Sequence, residues 1–314
     1  MNAANGPQTA FLVGSTRVGD TGIGLEQHLT AALVDHRGVV EMPAYAVMAE
    51  SVTSGAYWYT FDEPVATVQS WLALTAGAPA EVGDRLVATA RLAHHDDHTG
   101  TATMTMTNQS GGVVCSGVAR AMRVGRTTEA LQALTKDTVW DPVDSGGAAH
   151  PGAGRGAAPG VPVAPLDPGW DGRRILAAIG SGTIARGPLC ELLAMTVGGE
   201  AEPVLTVDPQ PWMANPLGAI QGGVIASIVG QACSLAGQAH TAPGDRYTLA
   251  DLSIFYFRSP PVDGRPLTVV TATERVGRRM ATVSATLADG PIGATGTTYA
   301  RAVADIAYRR AGAF

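Results

Sequence analysis

Residues 35–51, DHRGVVEMPAYAVMAES, lie over residues 215–231, NPLGAIQGGVIASIVGQ, without a gap. Asp35 meets Asn215, Gly38 meets Gly218 and Glu41 meets Gln221. Met42-Pro43 meets Gly222-Gly223, Glu50 meets Gly230 and Ser51 meets Gln231. Each copy opens an apolar run at helical spacing, and each is followed by four strand-like segments. Such a repeat means that one structural plan is used twice. Short strands, one buried helix and then a meander describe an antiparallel sheet wrapped around a helix. The fold class expected is therefore α+β, with that unit in tandem.

The pattern along the chain fills in this plan. Residues 1–9 read as a loose tail, and FLV and LTAALV within residues 9–35 read as strands. The first central helix follows Glu41, with Pro43 suited to its first turn. Gly55 and the β-rich YWYTF mark its expected end. VATVQSWLAL, DRLVATARLA, TATMTMTN and GVVCSGVARAMRV are four strands. In the third, threonines alternate with Ala102, Met104 and Met106, so the apolar set faces one side. A short helix is expected from Glu129 to Thr138. From Asp141 to Pro168 the chain is mostly Pro, Gly and Ala and reads as an interdomain linker. That divides the chain into domains at 1–140 and 169–314. The second half repeats the plan with helices near Gly169–Ile179 and Gly222–Ala239. Its strands are YTLADLSIFYF, PLTVVTATERV, MATVSATLAD and IGATGTTYARAV.

Composition removes several function classes. Apolar residues make up 46% and charged residues 15%, enough for packed cores. The formal net charge of −6, without a basic block, argues against nucleic-acid and anionic-membrane partners. No apolar stretch reaches spanning length without polar interruption, and no signal peptide is visible. Cys115, Cys190 and Cys233 are widely spaced, so buried free thiols and a cytoplasmic location are expected. His94, His95, Asp96, Asp97 and His98 fall in a hairpin turn and read as solvated rather than as a metal site. Nucleotide-binding glycine motifs are absent, and no cofactor is implied.

The second copy carries Asn215, Gly218, Gln221, Gly222 and Gly223, then six residues, then Gly230. This resembles the hotdog-fold acyl-CoA thioesterases of the PaaI-like (4-hydroxybenzoyl-CoA thioesterase-like) superfamily. Their pattern is Asn-x-x-Gly-x-x-His-Gly-Gly, six residues, then Asp or Glu. Gln221 stands where the family has His, and Gly230 where it has the carboxylate. Arg258 to Pro260 and the Gly277-Arg278 turn also resemble that family. The resemblance implies two tandem hotdog domains, each an antiparallel sheet wrapped around a central helix. It also implies an acyl-CoA or acyl-carrier thioester as substrate, and association into homo-oligomers. The family's site lies between two hotdogs, one giving the Asn and the Gly N–H groups and the other the carboxylate. Helix geometry agrees: a carboxylate eight residues past the first Gly lies roughly 12 Å along its own helix. An antiparallel partner helix can bring it to that terminus.

Glu50 with Asn215, Gly222 and Gly223 therefore makes one complete site. Glu50 is the general base or nucleophile, and a Gly backbone N–H at a helix N-terminus holds the oxyanion. Asn215 orients thioester or water, or serves only as a turn residue; Gln221 assists. Ser51, Arg258, Arg278 and Arg279 are candidates for substrate binding, the arginines for CoA phosphates. Glu50 among apolar helix residues is expected to have a raised pKa. The reciprocal set, Gly230 with Asp35, Met42 and Pro43, has no helical carboxylate, and Pro43 has no N–H to give. It is expected to be vestigial. Two other readings remain: a non-catalytic acyl-CoA or acyl-chain binder, and a hotdog dehydratase or hydratase. The latter needs a His in the site, and His36 is the only one in either core motif.

Overall fold

The computed structural model describes residues 6–18, 22–126, 128–132, 163–198, 202–290 and 296–311. The first half contains α1 (Pro7–Ala10), β1 (Val13–Val18), β2 (Gly22–His28), α2 (Met42–Trp58) and β3 (Ala66–Ala76). It continues with β4 (Arg85–His95), β5 (Thr99–Thr107), β6 (Val113–Val124) and α3 (Glu129–Gln132). The second half contains α4 (Gly172–Gly180), α5 (Pro188–Leu192), β7 (Met195–Gly198), β8 (Val204–Val207) and α6 (Gly222–Gln238). It ends with β9 (Arg246–Tyr256), β10 (Leu267–Val276), β11 (Met280–Ala288) and β12 (Thr298–Arg309).

All strands join one 12-stranded antiparallel sheet in the order β1-β2-β4-β5-β6-β3-β9-β12-β11-β10-β8-β7. The order reads as the same six-strand pattern from either edge. The seam is the antiparallel pair β3–β9, with Ala73 opposite Ser253. These two residues hold the same place in their own halves, so a pseudo-twofold axis passes between them. The central helices obey it: α2 and α6 are both 17 residues long and pack against each other beneath the sheet.

Their sequences explain that placement. Helix α6 is almost wholly buried and α2 is buried over most of its length, which suits helices enclosed by a sheet and a partner helix. The packing is close enough to require glycine. A Cβ on Gly223 would lie 2.5 Å from Val47 Cα and 2.9 Å from the Ala46 carbonyl oxygen. Gly222 faces Glu50 while Gly230 faces Pro43, so the two helices run antiparallel.

The sequence expectations need local corrections. Pro7–Ala10 is helical rather than a tail, with Pro7 at the first helical position. FLV contributes only Val13 to β1, and LTAALV forms a 3₁₀ turn at Ala31–Leu33. The strand in this region is instead GIGLEQH, which pairs with both β1 and β4. Helix α2 continues through Tyr57 and Trp58, because tertiary burial of Tyr57 outweighs β propensity. The described part of the last strand runs from Thr298, and residues 292–295 of the expected strand lie outside the described residues. Ala102, Met104 and Met106 do face the core. Residues 141–162 of the expected linker, and Ala133–Thr138 of the expected helix, lie outside the described residues.

Candidate functional site

The loop before each central helix is built alike down to single hydrogen bonds. Asn215 Oδ1 accepts from Leu217 N (2.9 Å) and Ala219 N (3.2 Å). Asp35 Oδ1 accepts from Arg37 N (2.7 Å) and Val39 N (3.1 Å). Gly218 and Gly38 both take positive φ, 78° and 74°, which a side chain would strain. Each loop delivers the chain to the N-terminus of its helix, Gln221 before α6 and Glu41 before α2.

Beyond that point the halves diverge. At the α6 terminus, Gln221 Oε1 caps the helix by accepting from Val224 N at 3.0 Å. Its Nε2 donates across to a Glu50 carboxylate oxygen on α2, and lies 3.3 Å from Ser51 Oγ. Ser54, one turn after Glu50, donates to the other carboxylate oxygen at 2.7 Å. Glu50 is only 8% exposed. Burial pushes its pKa up to about 7, against the opposing pull of the Ser54 hydrogen bond. It can therefore gain and lose a proton near neutrality, as a general base must.

Glu50, Ser51, Ser54, Asn215, Gln221, Gly222, Tyr256 and Arg258 all line one cavity of about 780 Å³ between the halves. The Gly222 N–H has no acceptor among the described residues, as expected of the first turn of a helix. Its carbonyl accepts from Tyr256 Oη at 3.1 Å. Gly223 is not in the cavity wall, because its Cα side is pressed against α2. The glycine pair is thus split, Gly222 bordering the cavity and Gly223 serving helix packing. Asn215 spends its carbonyl oxygen on the turn, which leaves its amide nitrogen as the group free to face a ligand. Gln8 of α1 also reaches the wall, donating to Ser51 Oγ at 3.2 Å. Neither Ser54 nor Gln8 was singled out by sequence pattern. Ser54 could have been found from its i+4 spacing to Glu50.

Arg258 lies in the wall and forms no ion pair with another described residue. Arg278 and Arg279 do not reach this cavity. They sit at the β10–β11 turn, where their carbonyl oxygens accept from Arg310 Nε (2.9 Å) and Tyr308 N (2.8 Å). His36 is buried against Gln238 (Nε2 to Oε1, 3.0 Å), away from the cavity wall, so it supplies no acid or base there. Among the described residues no His, Cys, Asp and Glu cluster fits a metal ion. The three cysteines are free and buried, and burial pushes each thiol up to about 12. No helix among the described residues is long and apolar enough to cross a membrane.

The reciprocal position is filled by charge. Arg37 holds Asp35 Oδ2 at 2.5 Å and Glu41 Oε2 at 2.7 Å, and its guanidinium carbon stacks 3.7 Å over the Tyr247 ring. Ser234 donates to Glu41 at 2.7 Å, mirroring Ser54 on Glu50. Burial alone would raise the Asp35 carboxyl, but Arg37, His36 and the Val39 N–H together hold the group below the usual range. The reciprocal set thus holds an internal ion cluster.

Residues 217–294 match the family model described as the thioesterase superfamily. The chain has a tandem hotdog fold. Likeness to solved structures over nearly the whole chain carries that arrangement. The chain is similar to an acyl-CoA thioesterase II, TesB2, of Mycobacterium marinum, at 10% identity and a TM-score of 0.55, covering 97% of this chain and 98% of that one. A hot dog protein of Alicyclobacillus acidocaldarius gives 12%, 0.56, 97% and 98%. A TesB protein of Mycobacterium avium subsp. paratuberculosis gives 10%, 0.53, 94% and 96%. At these identities the likeness is one of fold. No curated protein matches the chain in sequence.

Proposed function

We propose that the protein hydrolyses acyl thioesters at one composite site per chain, with Glu50 from the first half and Gly222, Gln221 and Asn215 from the second. One observation carries the reading: a buried carboxylate on α2 is held by the side chain that caps α6, where that helix presents a glycine N–H to the same cavity.

The chemistry follows from the groups. Ionised Glu50 takes a proton from water as that water attacks the thioester carbonyl, or attacks the carbonyl itself. The Gly222 N–H, at the positive end of the α6 dipole, receives the developing oxyanion. The tetrahedral intermediate then collapses with loss of the thiolate, which takes up a proton; where Glu50 itself attacked, water then cleaves the acyl-Glu50 anhydride and restores the carboxylate. Gln221 and Ser54 fix the carboxylate, so the base does not wander between turnovers. Arg258 offers one charge to a phosphate on the tail of a CoA or a phosphopantetheine carrier.

The test is thiol release from a panel of acyl-CoAs at several pH values. We expect release, with kcat/KM rising about tenfold per pH unit below an apparent pKa of about 7 and levelling above it. Tight binding of every thioester without thiol release would replace the enzyme with a binding protein.

A further inference from the structure

Helix α2 carries Gly55 at a place where the fold gives it no backbone reason to be. Its φ is not positive, it lies inside the helix, and glycine is a poor helix former. It is not a packing glycine either. A Cβ there would meet a single atom, Tyr59 Cε2 at 3.9 Å, which is ordinary contact. Gly55 lines the cavity one turn beyond Ser51. The pseudo-twofold axis supplies its counterpart. Position for position in the two 17-residue helices, Gly55 corresponds to Leu235, which is fully buried in the second core. Where one half spends a leucine side chain on filling its core, the other leaves open space.

That space is lined mainly by apolar side chains. Opposite α2 the wall is formed by Leu25, Val68, Ala90, Leu92 and Met122, with Trp58 further along the helix. The charged groups sit at Glu50 and Arg258, while Ser15, Thr67, Gln69 and Ser70 add only neutral polar groups to the wall. We infer that Gly55 is the residue that opens an acyl-binding arm in the first half, and that the arm takes an extended apolar acyl group rather than acetyl. The acyl group lies along the Ser51–Gly55–Trp58 face of α2, with its carbonyl carbon at Glu50. An apolar group filling this arm displaces water and adds binding energy with each methylene. Arg258, on the second-half side of the cavity, is left for the thiol-bearing tail.

This inference uses the hydrolase reading for its first readout, so a second readout is independent of turnover. Gly55→Leu copies the second half's own residue and removes a helix-weakening glycine, so the variant should fold, as circular dichroism and thermal melting will check. The profile of kcat/KM across acetyl-, butyryl-, octanoyl- and benzoyl-CoA should then shift. The octanoyl-to-acetyl ratio should fall by about tenfold or more, the scale set by lost apolar pocket contacts. Gly55→Ala should fall between wild type and Gly55→Leu. In parallel, calorimetry with a non-hydrolysable octanoyl-CoA thioether should show weaker binding to the Leu variant. An unchanged profile and unchanged thioether affinity in a folded Gly55→Leu protein would overturn the inference. Loss of thioether affinity in Gly55→Leu, with no thiol release by the wild type, would sustain the arm and remove the hydrolase reading alone.

Discussion

Glu50→Gln should slow thioester hydrolysis by roughly 10²–10⁴-fold, the usual contribution of a positioned base, without lowering the melting temperature. Glutamine keeps the length and one carbonyl oxygen to accept from Gln221 or Ser54. The stability effect has a definite sign. Folding raises the Glu50 pKa from an ordinary 4.5 to about 7. Between those values the folded protein binds a proton that the unfolded chain does not. Stability is therefore lost as pH rises from 4.5 to 7, by an amount of order 3 kcal/mol. Glutamine does not titrate and escapes that loss. The melting temperature of the variant relative to wild type should climb between pH 5 and pH 8. A variant that turns over at wild-type speed, or one whose relative stability falls with pH, contradicts the role given to Glu50.

The second large effect lies in the occupied reciprocal position and should leave chemistry alone. Arg37→Leu strands Asp35 and Glu41, 1% and 7% exposed, without their shared cation. Breaking a buried ion pair from one side costs about 3–5 kcal/mol, which urea unfolding would show as a lower midpoint. The other half of the molecule suggests the repair. Asn215, Leu217 and Gln221 occupy the places of Asp35, Arg37 and Glu41, and they are uncharged. The triple variant Asp35→Asn, Arg37→Leu, Glu41→Gln should recover most of the loss, because no bare charge remains. A single variant costing under about 1 kcal/mol, or a triple no better than the single, would show that the cluster is not an interdependent unit.

The repeat made the tandem plan and the approach of Glu50 to the Gly222 end of α6 legible from the sequence. Matched helix positions and antiparallel packing are local consequences of pattern. What sequence could not show depends on contacts across the two halves. Glu41 aligns with Gln221, yet nothing in DHRGVVE reveals that Arg37 turns inward to bind both Asp35 and Glu41. Gly222 and Gly223 look equivalent, yet only the fit of α6 against Val47 separates a cavity-bordering residue from a packing one. Arg278 and Arg279 fall beside a glycine turn as the family resemblance suggested, but that turn lies away from the cavity wall. The strand at Gly22–His28 was hidden because its residues are polar and glycine-rich, and its pairing with β1 and β4 is long-range.

The central claim is asymmetry: one working site per chain, with its twin occupied by Arg37. Calorimetric titration of the full chain with a non-hydrolysable acyl-CoA thioether measures this directly. One ligand bound per chain, weakened by Gly222→Ala, whose methyl would sit 3.3 Å from the Glu50 carboxylate oxygen, is the predicted result. Two equivalent sites per chain, or one site indifferent to Gly222, would contradict it.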